Sequence, residues 1–347
     1  MFDWPEIKSS SYYLIAILCV FLCLSCYHRQ QIQTAKKSDN IIIKKDKKKA
    51  DFIVAKDGSG DFKTVQEAIN AVPDMQKART IIYIKNDVYK EKLILPANKT
   101  NVKLLGESLS GVVLTYDDYA SKKNSRGENI GTTGSSSFFV YGDGFIAENI
   151  TFENSSGPVG QAVAVRVSAD KIKFVNCRFL GFQDTLYPQA NASKGRQYFQ
   201  NCYVEGTTDF IFGAAAAVFE DCIIYCKKGG RYITAANTPA GAPFGFVFLR
   251  CTIKGDEGVQ YYLGRPWGND AKTVFLYCFL PAFITPQGWH NWSKPDAEKT
   301  TFYAEYKNKG AGAASHGRVS WSHQLTDWQA SEYTLANIFK DWDVSVE

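Results

Sequence analysis

The sequence predicts an all-β chain wound as a parallel β-helix, with an amphipathic helix capping the first coil. Three observations predict it. A short strand-like pattern recurs about every 26 residues, cysteines return at one phase of that pattern, and a helical apolar stripe lies ahead of the repeat.

The stripe comes first in the chain. Phe62, Val65, Ala68, Ile69 and Val72 fall at helical spacing before Pro73, with Thr64 placed to cap the amino end. Solenoid ends expose strand edges that need cover, which is the role expected of this helix. The repeat then runs through Phe145 to Phe152, Ile172 to Phe179, Tyr198 to Val204, Val218 to Ile223, Val247 to Ile253 and Val274 to Phe279. Equivalent positions 150, 177, 202, 222, 251 and 278 step by 27, 25, 20, 29 and 27 residues. Every copy alternates apolar with polar and is rich in β-branched and aromatic residues, as strands are. One strand cannot bury both faces, so a fixed period of this length points to stacked coils. Cysteine at one phase of successive coils suits an inward stack, because it is small and usually buried. Near the end, Leu335 to Phe339 reads as a short helix against the far end or side.

The other segments follow from composition. The 347 residues are 45% hydrophobic and 14% aromatic, a globular composition. The net charge of +5 is uneven, since residues 1–50 hold nine Lys/Arg against four acids and the rest holds 31 of each. A neutral body argues against a nucleic-acid partner, which needs a basic stripe on the domain itself. Tyr12 to Leu24 is an apolar run too short to span a bilayer and suited to an export signal. Residues 1–26 are therefore expected to be a signal peptide or, through Ser25-Cys26, a lipoprotein-type signal whose anchor would be the sole membrane contact. Residues 27–50 are a basic linker and 51–347 the catalytic domain. Nine cysteines without a C-x-x-C pair among the six beyond residue 26, and four scattered histidines, disfavour a metal site.

Within this frame Asp184 and Asp209 stand 25 residues apart, each seven residues after a repeat cysteine. One coil of separation places them on one face about 4.8 Å apart. Carboxylates that close do not ionise independently, which supplies an acid and a nucleophile at one site. Gln161 lies about one coil before Asp184. Arg265 lies about two coils after Asp209, where a guanidinium would hold that carboxylate ionised. Trp267 offers a flat face to a sugar ring.

These residues sit in Gln161-Ala162-Val163-Ala164, Gln183-Asp184-Thr185-Leu186-Tyr187, Gly206-Thr207-Thr208-Asp209-Phe210-Ile211-Phe212-Gly213 and Tyr262-Leu263-Gly264-Arg265-Pro266-Trp267. Four such blocks in this order resemble the pectin methylesterase (pectinesterase) family over about residues 53–342. The resemblance implies a right-handed coil, a pectin substrate and no cofactor; with the export signal, the protein is expected outside the cytoplasm, in the cell wall or envelope, as a monomer. It further implies that Asp209 is the nucleophile, Asp184 the acid and then base, and Gln161 and Gln183 the oxyanion donors. Arg265 would pair with Asp209, Trp267 and Ser137 would contact substrate, and Cys202 and Cys222 would form a disulfide. Departures from the family pattern are Asp87 at a usual glycine, where Asp would take the left-handed turn, and Ala214 and Ala236 at frequent amides. The rival readings are a non-catalytic, pectin-binding β-helix and a lyase or polygalacturonase. A lyase would want a calcium-binding carboxylate cluster, for which only Asp117-Asp118 offers a start.

Overall fold

The computed structural model describes residues 50–190 and 195–345. The expected export signal and nearly all of the linker lie outside the described residues, and the chain divides at Ala50 into two units. The second unit, 51–347, is built from three sheets whose paired strands all run parallel. One sheet has eleven strands and the other two have seven each. Successive coils contribute one strand to each sheet, so residues about 25 apart become neighbours: Phe174 pairs Phe199, Phe199 pairs Phe219, and Phe219 pairs Phe248. This is the coil geometry expected from the repeat.

The first five repeat copies are each two strands joined by a corner, and in the sixth a strand turns the corner to an isolated bridge residue, Phe279. The polar residue ahead of the cysteine phase makes the corner: Asn149, Asn176, Asn201, Asp221, Arg250 and Tyr277 all have φ between 49° and 57°. Asn and Asp tolerate that left-handed conformation better than other residues with a Cβ, which explains their recurrence. Asp87 departs from expectation. It opens the strand Asp87–Lys90, is not among the residues with positive φ, and pairs with Lys56 instead of making a left-handed turn.

The interior is a set of ladders. Phe174, Phe199, Phe219, Phe248 and Phe275 stack with centroid separations of 5.1, 4.6, 4.7 and 4.3 Å, all fully buried. Cys177, Cys202, Cys222, Cys251 and Cys278 form a second ladder, every one a buried free thiol. Cys202 and Cys222 are therefore unbonded in this structure, where the family resemblance implied a disulfide. Each thiol is engaged as a donor to a carbonyl of the preceding coil, Cys202 to Phe174 at 3.5 Å and Cys222 to Phe199 at 3.4 Å. Burial pushes both thiols well above their ordinary pKa, so they are inert as nucleophiles.

The predicted helix spans Val65–Ala71, with Thr64 and Glu67 closing a capping box. Val65, Ala68 and Ile69 are buried in the main core, and the helix packs against strands Phe52–Val54, Thr80–Ile84 and Leu93–Leu95. The helix Leu335–Phe339 lies against the side. Its Ile338 and Phe339 join Tyr198, Val218, Val247 and Val274, residues that the eleven-stranded sheet turns away from the interior.

Candidate active site

One seven-stranded sheet carries the candidate residues. Asp184 directly precedes Thr185 and the strand Leu186–Pro188, Asp209 lies in the strand Thr208–Gly213, and Arg265 lies in the strand Tyr262–Pro266. Leu186 pairs Ile211, and the Asp184 N–H donates to the Thr208 carbonyl at 3.1 Å, so the two aspartates occupy adjacent coils. The pairing of Thr208–Gly213 with Tyr232–Ala236 shifts register between Thr208 and Ile211, an irregularity that takes in Asp209 and Phe210. Such irregularities re-aim side chains, and here the backbone at Asp209 and Asp184 is left-handed, with φ of 51° and 66°. Gly206 makes the approach possible: a Cβ there would sit 2.2 Å from that of Phe210 and 2.5 Å from the Phe182 carbonyl oxygen.

Arg265 grips Asp209 with both ends of its fork, Nε to Oδ1 at 2.9 Å and Nη2 to Oδ2 at 2.6 Å. The guanidinium is itself sandwiched, 4.0 Å from the Tyr232 ring centroid and 3.7 Å from that of Trp292. The Gln161 side-chain amide donates to Asp184 Oδ2 at 2.9 Å and keeps a second N–H to offer. Both aspartates are buried. Burial, reinforced by the neighbouring Asp209 charge, pushes Asp184 up to about 8. Burial raises Asp209 too, but the Arg265 fork opposes it and leaves Asp209 the more acidic of the pair.

A cleft of about 400 Å³ opens over this pair. Gln161, Asp184, Asp209 and Trp267 all line it, and Tyr187 and Phe212, stacked at 4.2 Å, form its apolar floor. Trp267 is 38% exposed beside them. Gln183 is half-buried on the coil next to Gln161, to which its backbone pairs. Ser137 is corrected: it is 2% exposed, directs its hydroxyl to the Tyr116 carbonyl, and does not line the cleft. Thr132 and Thr133 hold that wall instead, on a 3-10 turn outside the repeat. Trp292 also lines the cleft, and its place in Trp289-His290-Asn291-Trp292, one coil after Arg265, is the sequence signal for it. Ala236 is buried in the core, so no amide is missing from the cleft at that position. Asp117 and Asp118 are taken up by Lys90, Lys92 and Lys122.

Comparison with known proteins gives a consistent result. The pectinesterase family model matches residues 51–341. Pectinesterase 31 of Arabidopsis thaliana is 43% identical over 286 residues, covering 81% of this chain and 89% of that protein. Pectinesterase 4 of the same plant is 40% identical over 288 residues, 79% of this chain, which spans 48% of that longer protein. Among solved structures, the pectin methylesterase from carrot superposes with a TM-score of 0.76 at 37% identity, over 84% of this chain and 93% of that one. A pectin methylesterase in complex with a hexasaccharide superposes with a TM-score of 0.73 at 30% identity, over 85% and 98%.

Proposed function

The chain belongs to the pectinesterase family, and we propose that it hydrolyses galacturonate methyl esters of pectin with Asp209 as nucleophile and Asp184 as acid, then base. The reaction is two-step acyl transfer. A carboxylate oxygen of Asp209 attacks the ester carbonyl carbon, and Arg265 holds that carboxylate ionised and aimed. The carbonyl oxygen takes up negative charge and is met by side-chain N–H groups of Gln161 and Gln183. Collapse breaks the carbon–methoxy bond, and Asp184 delivers its proton to the departing methoxide, which leaves as methanol. The anhydride left on Asp209 is then attacked by water, from which Asp184, now ionised, removes a proton. The product is a galacturonate carboxyl, with both aspartates restored. Trp267 supplies a flat apolar face for a pyranose ring, beside the apolar floor that Tyr187 and Phe212 make.

The observation that carries this reading is the contrast between two adjacent buried carboxyls. Asp209 is held by a bidentate guanidinium, while burial and the neighbouring Asp209 charge push Asp184, which has only an amide partner, up to about 8. The reading extends to the rest of the chain: residues 1–26 export the protein, 27–50 are a linker, and the enzyme works outside the cytoplasm as a monomer.

The test is methanol release from highly methylated pectin with the polymer length unchanged. Asp209→Asn should lower the rate by about 1000-fold or more while pectin binding persists, and Asp184→Asn by roughly 100- to 10,000-fold. Chelators should have no effect. Shortened chains, or an Asp209→Asn protein that still turns over, would overturn the assignment.

A further inference from the structure

Resting on that reading, we propose that Arg166 is an anionic subsite of the cleft. It takes the carboxylate of a galacturonate already de-esterified and thereby directs the enzyme to esters near its earlier products.

Arg166 is the middle residue of the strand Val165–Val167. Val165 and Val167 are fully buried in the core, so alternation turns Arg166 outward. Its register neighbours are Phe139 on one side and Tyr187 on the other. The same row continues through Phe212, since Leu186 pairs Ile211, then through Ala235 to Arg265. Tyr187, Phe212 and Ala235 line the cleft. Arg166 therefore stands on the cleft's own row, two strands from that of Asp209, or about 10 Å along the stack. That distance is comparable to two sugar residues of an extended polymer.

The guanidinium is held in place. Nε donates to Ser168 Oγ at 3.3 Å, Nη1 donates to the Thr133 carbonyl at 3.1 Å, and the group lies 5.3 Å from the Tyr187 ring centroid. Thr133 and Tyr187 both line the cleft. No carboxylate answers it. Arg265 is paired with Asp209, Lys92 and Lys122 with Asp118, and Lys227 with Glu205, whereas Arg166 makes no ion pair among the described residues. A half-buried guanidinium, oriented by two hydrogen bonds and left with Nη2 uncommitted, is matched to a carboxylate and gains little from a neutral methyl ester. The reaction itself makes that carboxylate, on the same polymer, within reach of the next ester. A cation at this distance converts each product into a better substrate site for the following turnover.

The experiment compares kcat/KM on fully methylated pectin with that on pectin de-esterified in blocks. The wild-type enzyme should favour the second by about tenfold, Arg166→Gln should bring the ratio near one, and Arg166→Lys should recover part of it. Mass spectrometry of limited digests should show contiguous free acids for wild type and scattered ones for Arg166→Gln. An unchanged ratio in Arg166→Gln overturns the inference. So does equal affinity of the wild-type protein for unesterified and fully methylated oligogalacturonates, a binding measurement that needs neither a variant nor turnover. Tighter binding of the unesterified oligomer with no methanol from either pectin would sink the esterase assignment while upholding the anionic subsite.

Discussion

At Asp184, burial acts against charge, and the consequence can be measured as stability as well as rate. Its carboxyl sits at about 8 in the folded protein against an ordinary value of 3.8. Below 3.8 it is protonated in both folded and unfolded chains and contributes no difference. Between the two values the unfolded chain ionises and the folded one does not, so folding loses stability as pH rises, and the loss is complete above about 8. Asp184→Asn should therefore unfold at higher denaturant than wild type, by a margin near zero at pH 3, growing to pH 8 and flat beyond. Equilibrium denaturation across that range checks it, and a margin that widens toward acid would contradict the assignment. The same proton gives the alkaline limb of the rate, and protonation of the more acidic Asp209 gives the acid limb; both limbs belong to the coupled pair. At this scale the sequence revealed what obeys the period: Asp184, Asp209, Gln161 and Arg265 stand at whole-coil spacings, and the structure brings them together. It hid what lies off the period, and it marked Trp292 only by its place one coil after Arg265. Thr132 and Thr133 reach the cleft from a turn whose path no repeat dictates, and Ser137 sits beneath the surface where the family resemblance put it.

The coil is the element that repeats, and its stability resides in ladders that each coil shares with its neighbours. Phe219 is the middle rung of the aromatic ladder, flat against Phe199 below and Phe248 above. Truncating it removes two stacking contacts at once, and a rigid solenoid wall cannot collapse into the gap. Phe219→Ala should cost about 3–5 kcal/mol, read from chemical denaturation, whereas Phe279→Ala, on a side chain 48% exposed, should cost far less. Equal losses would mean that the ladder carries no special share of the stability. The ladders were legible because alternation and period fix which residues face inward. The corners were only half legible. Asn149, Asn176 and Asn201 announce a left-handed turn, but Arg250 and Tyr277 make the same turn without the chemistry that favours it. Position in the coil overrides local preference there, and no local signal marks it.

The domain as a whole has a boundary that the sequence marks and a strap that it does not. The repeat, the matched motifs and the family match all begin at or after residue 51. The carboxy-terminal segment is different in kind. Lys173 donates to the Val344 carbonyl, and Arg196 binds the Phe339 carbonyl and Asp341 while gripping Asp170. Ile338 and Phe339 cover apolar residues on the outer face of the eleven-stranded sheet, so the segment from Ala330 to Val344 is part of the folded wall. Two truncations should then behave oppositely. A chain starting at Asp51 should fold, melt cooperatively near the full-length temperature and release methanol at the full-length rate. A chain ending at Leu325 would bare Tyr198, Val218, Val247 and Val274 to water and leave Lys173 and Arg196 without their carbonyl partners. Buried apolar side chains are worth about 1.5–3 kcal/mol each, so exposing several removes much of a domain's net stability. The shortened protein should aggregate or melt far below the parent in thermal scans. A carboxy-terminal truncation that stays soluble and active would show that the coils stand without the strap, and loss of folding in the Asp51 chain would place the domain boundary earlier than the repeat does.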